Sequence, residues 1–105
     1  MRVDYIIIGA GSAGCVLAAR LSENPDVSIL LVEAGGADTN PFIHIPAGFV
    51  KTMVTPSLNW MFTTADEDYL GGRQLKMPRG KVLGGTSSIN GMLYVRGLAS
   101  DYDGW

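Results

Sequence analysis

The chain is 105 residues long, 47% hydrophobic and only 17% charged, so it is a core-forming sequence with room for one small domain and not a disordered segment. Eight basic against ten acidic residues leave a formal charge of −2, which gives no electrostatic ground for a nucleic-acid or anionic-membrane partner. Cys15 is the only cysteine, which excludes an internal disulfide and a zinc quartet and makes a reduced, cytoplasmic setting the simplest expectation; no apolar run is long enough to cross a membrane.

Val3-Asp-Tyr-Ile-Ile-Ile8 is a nearly continuous β-branched run, the pattern of a parallel strand covered on both faces. It starts so early that no secretory leader is expected. From Ser12 to about Glu23 the pattern turns helical, with Ala13, Val16, Leu17 and Leu21 on one face and Arg20 on the same stripe reaching round to solvent. Asn24-Pro25-Asp26 closes that helix, and Val27-Ser-Ile-Leu-Leu-Val32 reads as a second strand. Strand, helix and strand within about 30 residues predict a right-handed βαβ unit.

Past Gly35 and Gly36 the pattern loosens. Residues 37–79 hold Pro41, Pro46, Pro56 and Pro78 without a sustained period, which predicts long loops with one or two helical turns between Ile43 and Val54 and an extended piece from Trp60 to Thr64. Ser100 is the expected N-cap of a last helix that meets the chain end at Trp105, so the sequence reads as a fragment. The expected fold class is α/β: a Rossmann-like βαβ unit over 3–36, an irregular segment over 37–79, and a glycine-rich loop with a helix start over 80–105, together a partial domain.

Gly9-Ala-Gly11-Ser-Ala-Gly14 follows the first strand and opens the helix. In that context Gly9 turns the chain, Gly11 lets the backbone approach a pyrophosphate, and Gly14 lets the helix pack on the strand. The helix start at Ser12 and Ala13 directs free N–H groups at that phosphate. Glu33, 19 residues past Gly14 at the end of the second strand, is placed to accept both ribose hydroxyls of an adenosine and to repel a 2′-phosphate. The plain alternatives are a bare glycine loop and an exposed acid at a strand end. With this spacing the motif predicts NAD or FAD and not NADP.

A second motif separates those two. Gly80-Lys-Val-Leu-Gly84-Gly85-Thr-Ser87-Ser supplies a flexible turn, a row of N–H donors and three hydroxyls, and Asn90 and Gly91 follow. Such a loop suits a second polar region of a long cofactor, which favours FAD.

The second motif, continued through Ile89, Asn90, Tyr94, Gly97 and Asp103, resembles the amino-terminal signature of the glucose–methanol–choline (GMC) flavoprotein oxidoreductases, and choline dehydrogenase-like members in particular. The opening residues 4–14, Glu33-Ala-Gly-Gly36 and Asn59-Trp60 are similar as well, so the resemblance covers nearly the whole chain. It implies an enzyme that oxidises an alcohol CH–OH group, with a small-molecule alcohol as substrate and an electron acceptor the sequence does not name. It adds Ala13, Ala34, Trp60, Arg79, Val82, Ser87, Met92 and Leu93 to the residues expected around FAD. The family's base is a histidine near the carboxyl terminus, so no catalytic residue and no metal ligand is expected among these residues. Some oxidases of the family attach FAD through a histidine where this chain has Ile89, so the cofactor is expected to be noncovalent.

His44 is read as a packed or surface residue and Cys15 as a small buried thiol. These 105 residues alone are expected neither to oxidise alcohols nor to hold FAD tightly. Two other readings stand beside the flavoenzyme: an NAD-binding dehydrogenase domain, and an inactive truncated product.

Overall fold

In a computed structural model, which describes residues 2–105, β1 (Tyr5–Ile8) and β2 (Ile29–Val32) run parallel, with Tyr5 opposite Ile29 and Ile8 opposite Val32. Helix α1 (Ser12–Leu21) joins them, so the strand–helix–strand expectation is met. Both strands are shorter than the apolar runs that encode them. At the edge of the pair Asp4 and Ser28 replace the ladder: the Ser28 hydroxyl and N–H both donate to Asp4 Oδ2, at 2.6 and 2.9 Å, and Asp4 N–H donates back to the Ser28 carbonyl. The Ser28 hydroxyl and backbone donors hold the Asp4 carboxyl below its ordinary pKa.

Two packing expectations are corrected. The face α1 turns to the sheet is Gly14, Ala18 and Leu21, while Val16 and Leu17 are exposed. Both sets have helical spacing, but only small residues let the helix axis come close to β1. The strands are also not covered on both faces: Ile7 beneath α1 is 8% exposed, whereas Ile8 on the opposite face is 87% exposed. Arg20 reaches solvent as expected and pairs with Glu23 at 2.7 Å.

The irregular segment contains α2 (Pro41–His44), a 3₁₀ turn (Pro46–Gly48) and α3 (Phe49–Thr52). Asn40 caps α2, its Oδ1 accepting from Phe42 N–H at 3.0 Å, and Pro41 occupies the first helical position where a missing N–H costs nothing. A short antiparallel pair follows, β3 (Phe62–Thr63) with β4 (Lys76–Met77). The buried cluster lies here and not under α1: Leu58, Val82 and Ile89 close on one another, with Ile43 packed against them. It fastens residues 43–58 to the second glycine-rich loop.

Helix α4 (Ala99–Asp103) corrects the capping expectation. Leu98 occupies the N-cap position, and its N–H donates to Asp101 Oδ2 at 2.9 Å, so the first-turn carboxylate does the work assigned to Ser100. The radius of gyration is 17.5 Å, against about 13 Å for a compact chain of this length. Broad apolar surface accordingly remains open.

Candidate functional site

The first loop leaves β1 with the Gly9 N–H still bonded to the Val32 carbonyl at 2.7 Å, then turns into α1. A Cβ on Gly14 would lie 1.9 Å from the Gly9 carbonyl oxygen, so only glycine permits this helix–strand approach. A Cβ on Gly11 would meet nothing within 4 Å; its backbone is extended and its open side faces a cavity. The first-turn N–H groups of α1 have no intrahelical acceptor, and the loop leads them to that opening.

Glu33 holds this loop as well as facing the cavity. Its Oε2 accepts the Ala10 N–H at 2.7 Å and its Oε1 the Gly35 N–H at 2.9 Å. The Gly35 donor first, then the Ala10 donor, hold its carboxyl below the ordinary value. A carboxylate has about four acceptor sites, so two remain for a ligand.

The second glycine motif lies directly on the first. Leu83 N–H donates to the Gly36 carbonyl at 2.9 Å and Gly84 N–H to the Ala10 carbonyl at 2.7 Å. Gly85 (φ 59°) is in the left-handed region, and a Cβ on it would approach the Gly11 Cα to 2.9 Å. The loop then makes a single 3₁₀ turn, Gly85–Ser88. Its hydroxyls are turned inward on the loop. Thr86 Oγ1 accepts the Gly80 N–H at 3.1 Å, Ser87 donates to the Gly84 carbonyl, and Ser88 donates to the Leu83 carbonyl at 2.7 Å. The three hydroxyls thus shape the loop, because short hydroxyl side chains bond readily to nearby backbone.

A third wall comes from the irregular segment. Lys81 N–H donates to the Leu58 carbonyl at 2.8 Å and Trp60 N–H to the Arg79 carbonyl at 2.9 Å, laying residues 58–60 antiparallel to 79–81. Trp60 stacks on Phe62 with ring centroids 5.8 Å apart and planes 6° from parallel, and Lys81 Nζ lies 4.7 Å from the Trp60 ring centroid. Together the walls enclose an open cavity of about 530 Å³.

Of the residues expected from sequence, Gly9, Gly11, Glu33, Ala34, Trp60, Arg79, Gly80 and Gly85 line this cavity. Ser12 and Ala13 begin the helix beside it, and Gly14 is buried behind it. Val82 is wholly buried in the core, which leaves its side chain no access, and Gly84 spends its N–H on Ala10. Ser87, Asn90 and Met92 line a separate cavity of about 220 Å³ with Asp38 and His44; Gly91 packs near Phe49 and Leu93 is exposed. Thr86, one of the three hydroxyls of the second motif, lines the main cavity too, and Ile8, Val32 and Phe62 do so without having been singled out. The signals were there: Ile8 and Val32 end the two strands, and Phe62 shares a face with Trp60 at the two-residue period of an extended chain.

His44 is exposed, its Nε2 2.6 Å from the Asp38 carbonyl oxygen. Cys15 is exposed and not buried; its thiol donates to the Ala10 carbonyl at 3.2 Å. Ile89 is 1% exposed within the core.

Residues 3–105 match the family described as GMC oxidoreductase. An alcohol dehydrogenase [acceptor] of Pseudomonas putida is 56% identical over 102 residues, and an oxygen-dependent choline dehydrogenase of Vibrio vulnificus is 60% identical over 102 residues. Each alignment takes in 97% of this chain and 18% of the relative, so the chain spans under a fifth of the length of the curated relatives it matches. Among solved structures, pyridoxine 4-oxidase from Mesorbium loti superposes with a TM-score of 0.86 at 41% identity, covering 99% of this chain and 20% of that one.

Proposed function

The chain belongs to the GMC oxidoreductase family, and we propose that it forms the amino-terminal FAD-binding part of an enzyme that oxidises an alcohol at its CH–OH group. The observation that carries the reading is the interlock of two glycine motifs, about 70 residues apart in sequence, around one cavity. A dinucleotide site needs backbone donors and close approach more than it needs side chains, and both loops supply these.

The residues present fit such a cofactor. Gly11 leaves a cradle that a Cβ would fill, and the α1 start offers unpaired N–H donors beside it. Glu33 retains acceptor sites for ribose hydroxyls after bonding Ala10 and Gly35. The cavity volume lies in the roughly 300–1,000 Å³ range of small-molecule and cofactor sites. Trp60, Phe62 and Arg79 provide an aromatic and cationic wall.

A bound flavin would supply the acceptor for the hydride that leaves the alcohol carbon. The residues described here bind and orient: Gly11, Ser12 and Ala13 at the diphosphate, Glu33 at the ribose, Arg79, Gly80 and Gly85 along the opposite side. None of them is assigned to receive the alcohol proton. Ile89 stands where some relatives carry an attaching histidine and offers no nucleophilic atom, which supports noncovalent binding. The irregular segment 37–79 and the loop 80–105 belong to the same cofactor-binding unit as the βαβ element.

The full-length gene product tests the reading. Purified protein is expected to show the visible absorption of an oxidised flavin, bleached anaerobically by an alcohol substrate. A colourless protein that binds NAD would instead support the nicotinamide dehydrogenase reading.

A further inference from the structure

We infer that Asn59 is a positioning residue of this cavity, one that touches no ligand but sets the wall formed by Trp60 and Arg79; the inference rests on the FAD reading above. Asn59 is 2% exposed, and its side chain is hydrogen-bonded at both ends. Nδ2 donates to the Met53 carbonyl just past α3, while Oδ1 accepts the Met61 N–H at 3.0 Å and the Arg79 N–H at 2.9 Å. One carboxamide thus closes a local turn at Met61, reaches back to the end of α3 at Met53, and ties both to Arg79, 20 residues away. The segments at Met61 and Arg79 hold the residues that face the cavity.

The bond to Met61 fixes an otherwise costly backbone. Met61 has φ 57°, a left-handed conformation that a long side chain seldom adopts, and it lies between Trp60 and Phe62. Turning the chain there leaves Trp60 and Phe62 stacked on the cavity side. The bond to Arg79 holds the other rim, one residue before Gly80, which has no room for a Cβ against Gly85. Without the Asn59 acceptor, the N–H groups of Met61 and Arg79 are both left short of a partner, and the wall loses the group that defines its distance from the two glycine loops.

The test is FAD titration of apoprotein prepared from the full-length gene product, followed by flavin fluorescence, with urea denaturation of each variant in parallel. Asn59→Ala removes all three bonds and is expected to weaken FAD binding roughly tenfold. Asn59→Asp keeps both acceptor bonds but turns a buried carboxylate oxygen toward the Met53 carbonyl, so it is expected to lower stability while leaving the dissociation constant within about threefold of wild type. Ile43→Val, a core change that borders the smaller cavity and not the main one, serves as the reference for stability loss. A folded Asn59→Ala protein with wild-type affinity overturns the inference, as does affinity lost by Asn59→Asp and Ile43→Val in step with their stability. If Asn59→Ala does not fold, Asn59→Ser decides: its short hydroxyl does not reach both the Met61 and Arg79 N–H groups, so FAD affinity is expected to fall well below that of Ile43→Val, and affinity equal to that of Ile43→Val overturns the inference. Wild-type apoprotein that fails to bind FAD overturns the parent reading instead.

Discussion

Gly11 and Gly14 are three residues apart in one motif, yet the structure gives them opposite sensitivities. Gly11→Ala adds a methyl that meets nothing within 4 Å, on a backbone with φ −80° and ψ −170° that any residue adopts. The apoprotein should tolerate it, with stability unchanged or raised by about 0.4–1 kcal/mol through reduced freedom of the unfolded chain. The methyl does project where a diphosphate would approach. Loss of one charge-assisted N–H bond there is worth about 1.5–3 kcal/mol, or roughly ten- to 150-fold in the FAD dissociation constant. Gly14→Ala puts its Cβ 1.9 Å from the Gly9 carbonyl oxygen, and contacts below 3.0 Å are essentially never seen. Helix α1 must therefore shift by more than an ångström from backbone that cannot rotate away, which costs about 1–3 kcal/mol or more. FAD titration and urea denaturation of the two full-length apoproteins separate the cases. Wild-type FAD affinity in Gly11→Ala would refute the diphosphate assignment, and wild-type stability in Gly14→Ala would refute the packing argument.

Glu33→Gln should destabilise the apoprotein at neutral pH, since an amide cannot accept at both ends from Ala10 and Gly35. The Glu33 pKa is lowered by folding, so its charge stabilises the fold above the usual carboxylate range and ceases to do so as pH falls through the lowered value. The gap between wild type and Glu33→Gln is therefore expected to close with acidification, measured as urea midpoints across pH; a constant gap would contradict the assignment. Acid precipitation of the intact enzyme should release all flavin into the supernatant, and colour retained on the pellet would show a covalent link. Expressed alone, the 105 residues should show no cooperative thermal transition and no micromolar FAD binding by calorimetry, because so few apolar side chains are buried against an ordering entropy of roughly 1–2 kcal/mol per residue.

The βαβ unit was legible because its signals are local: an apolar run, a three-glycine turn, a helical period and a proline stop. What the sequence did not disclose was which surfaces meet. Val16 and Leu17 carry more apolar area than Gly14 and Ala18, yet the smaller pair faces β1, since helix–strand distance and not hydrophobicity selects the face. Ser100 has the better intrinsic capping propensity, but the Asp101 side chain reaches the Leu98 N–H and moves the helix start forward. Cys15 lies where a thiol is often buried, yet it is exposed, its thiol donating to the Ala10 carbonyl. The Asn59 carboxamide could not be read as a tie, because its bond to Arg79, 20 residues away, is set by tertiary contact, whereas those to Met61 and Met53 are local.

Glu33 shows how one residue serves a local and a distant requirement. Spacing from Gly14 makes it the proposed ribose acceptor, and that reading needs only the end of a strand. In the structure both of its oxygens already bond backbone N–H groups, one on each side of the loop mouth. The two roles are compatible because each carboxylate oxygen accepts more than one hydrogen bond. They also reinforce each other: a carboxylate fixed by Ala10 and Gly35 loses little rotamer freedom when a ribose arrives, and the Ala10 carbonyl is simultaneously held by Gly84. Ala10 alone thus links Glu33, the first glycine loop and the second. A change at Glu33 should consequently be felt at Gly84 as well as at the ribose, which is why loss of affinity in Glu33→Gln cannot be apportioned to ribose bonds alone without the Gly11→Ala comparison beside it.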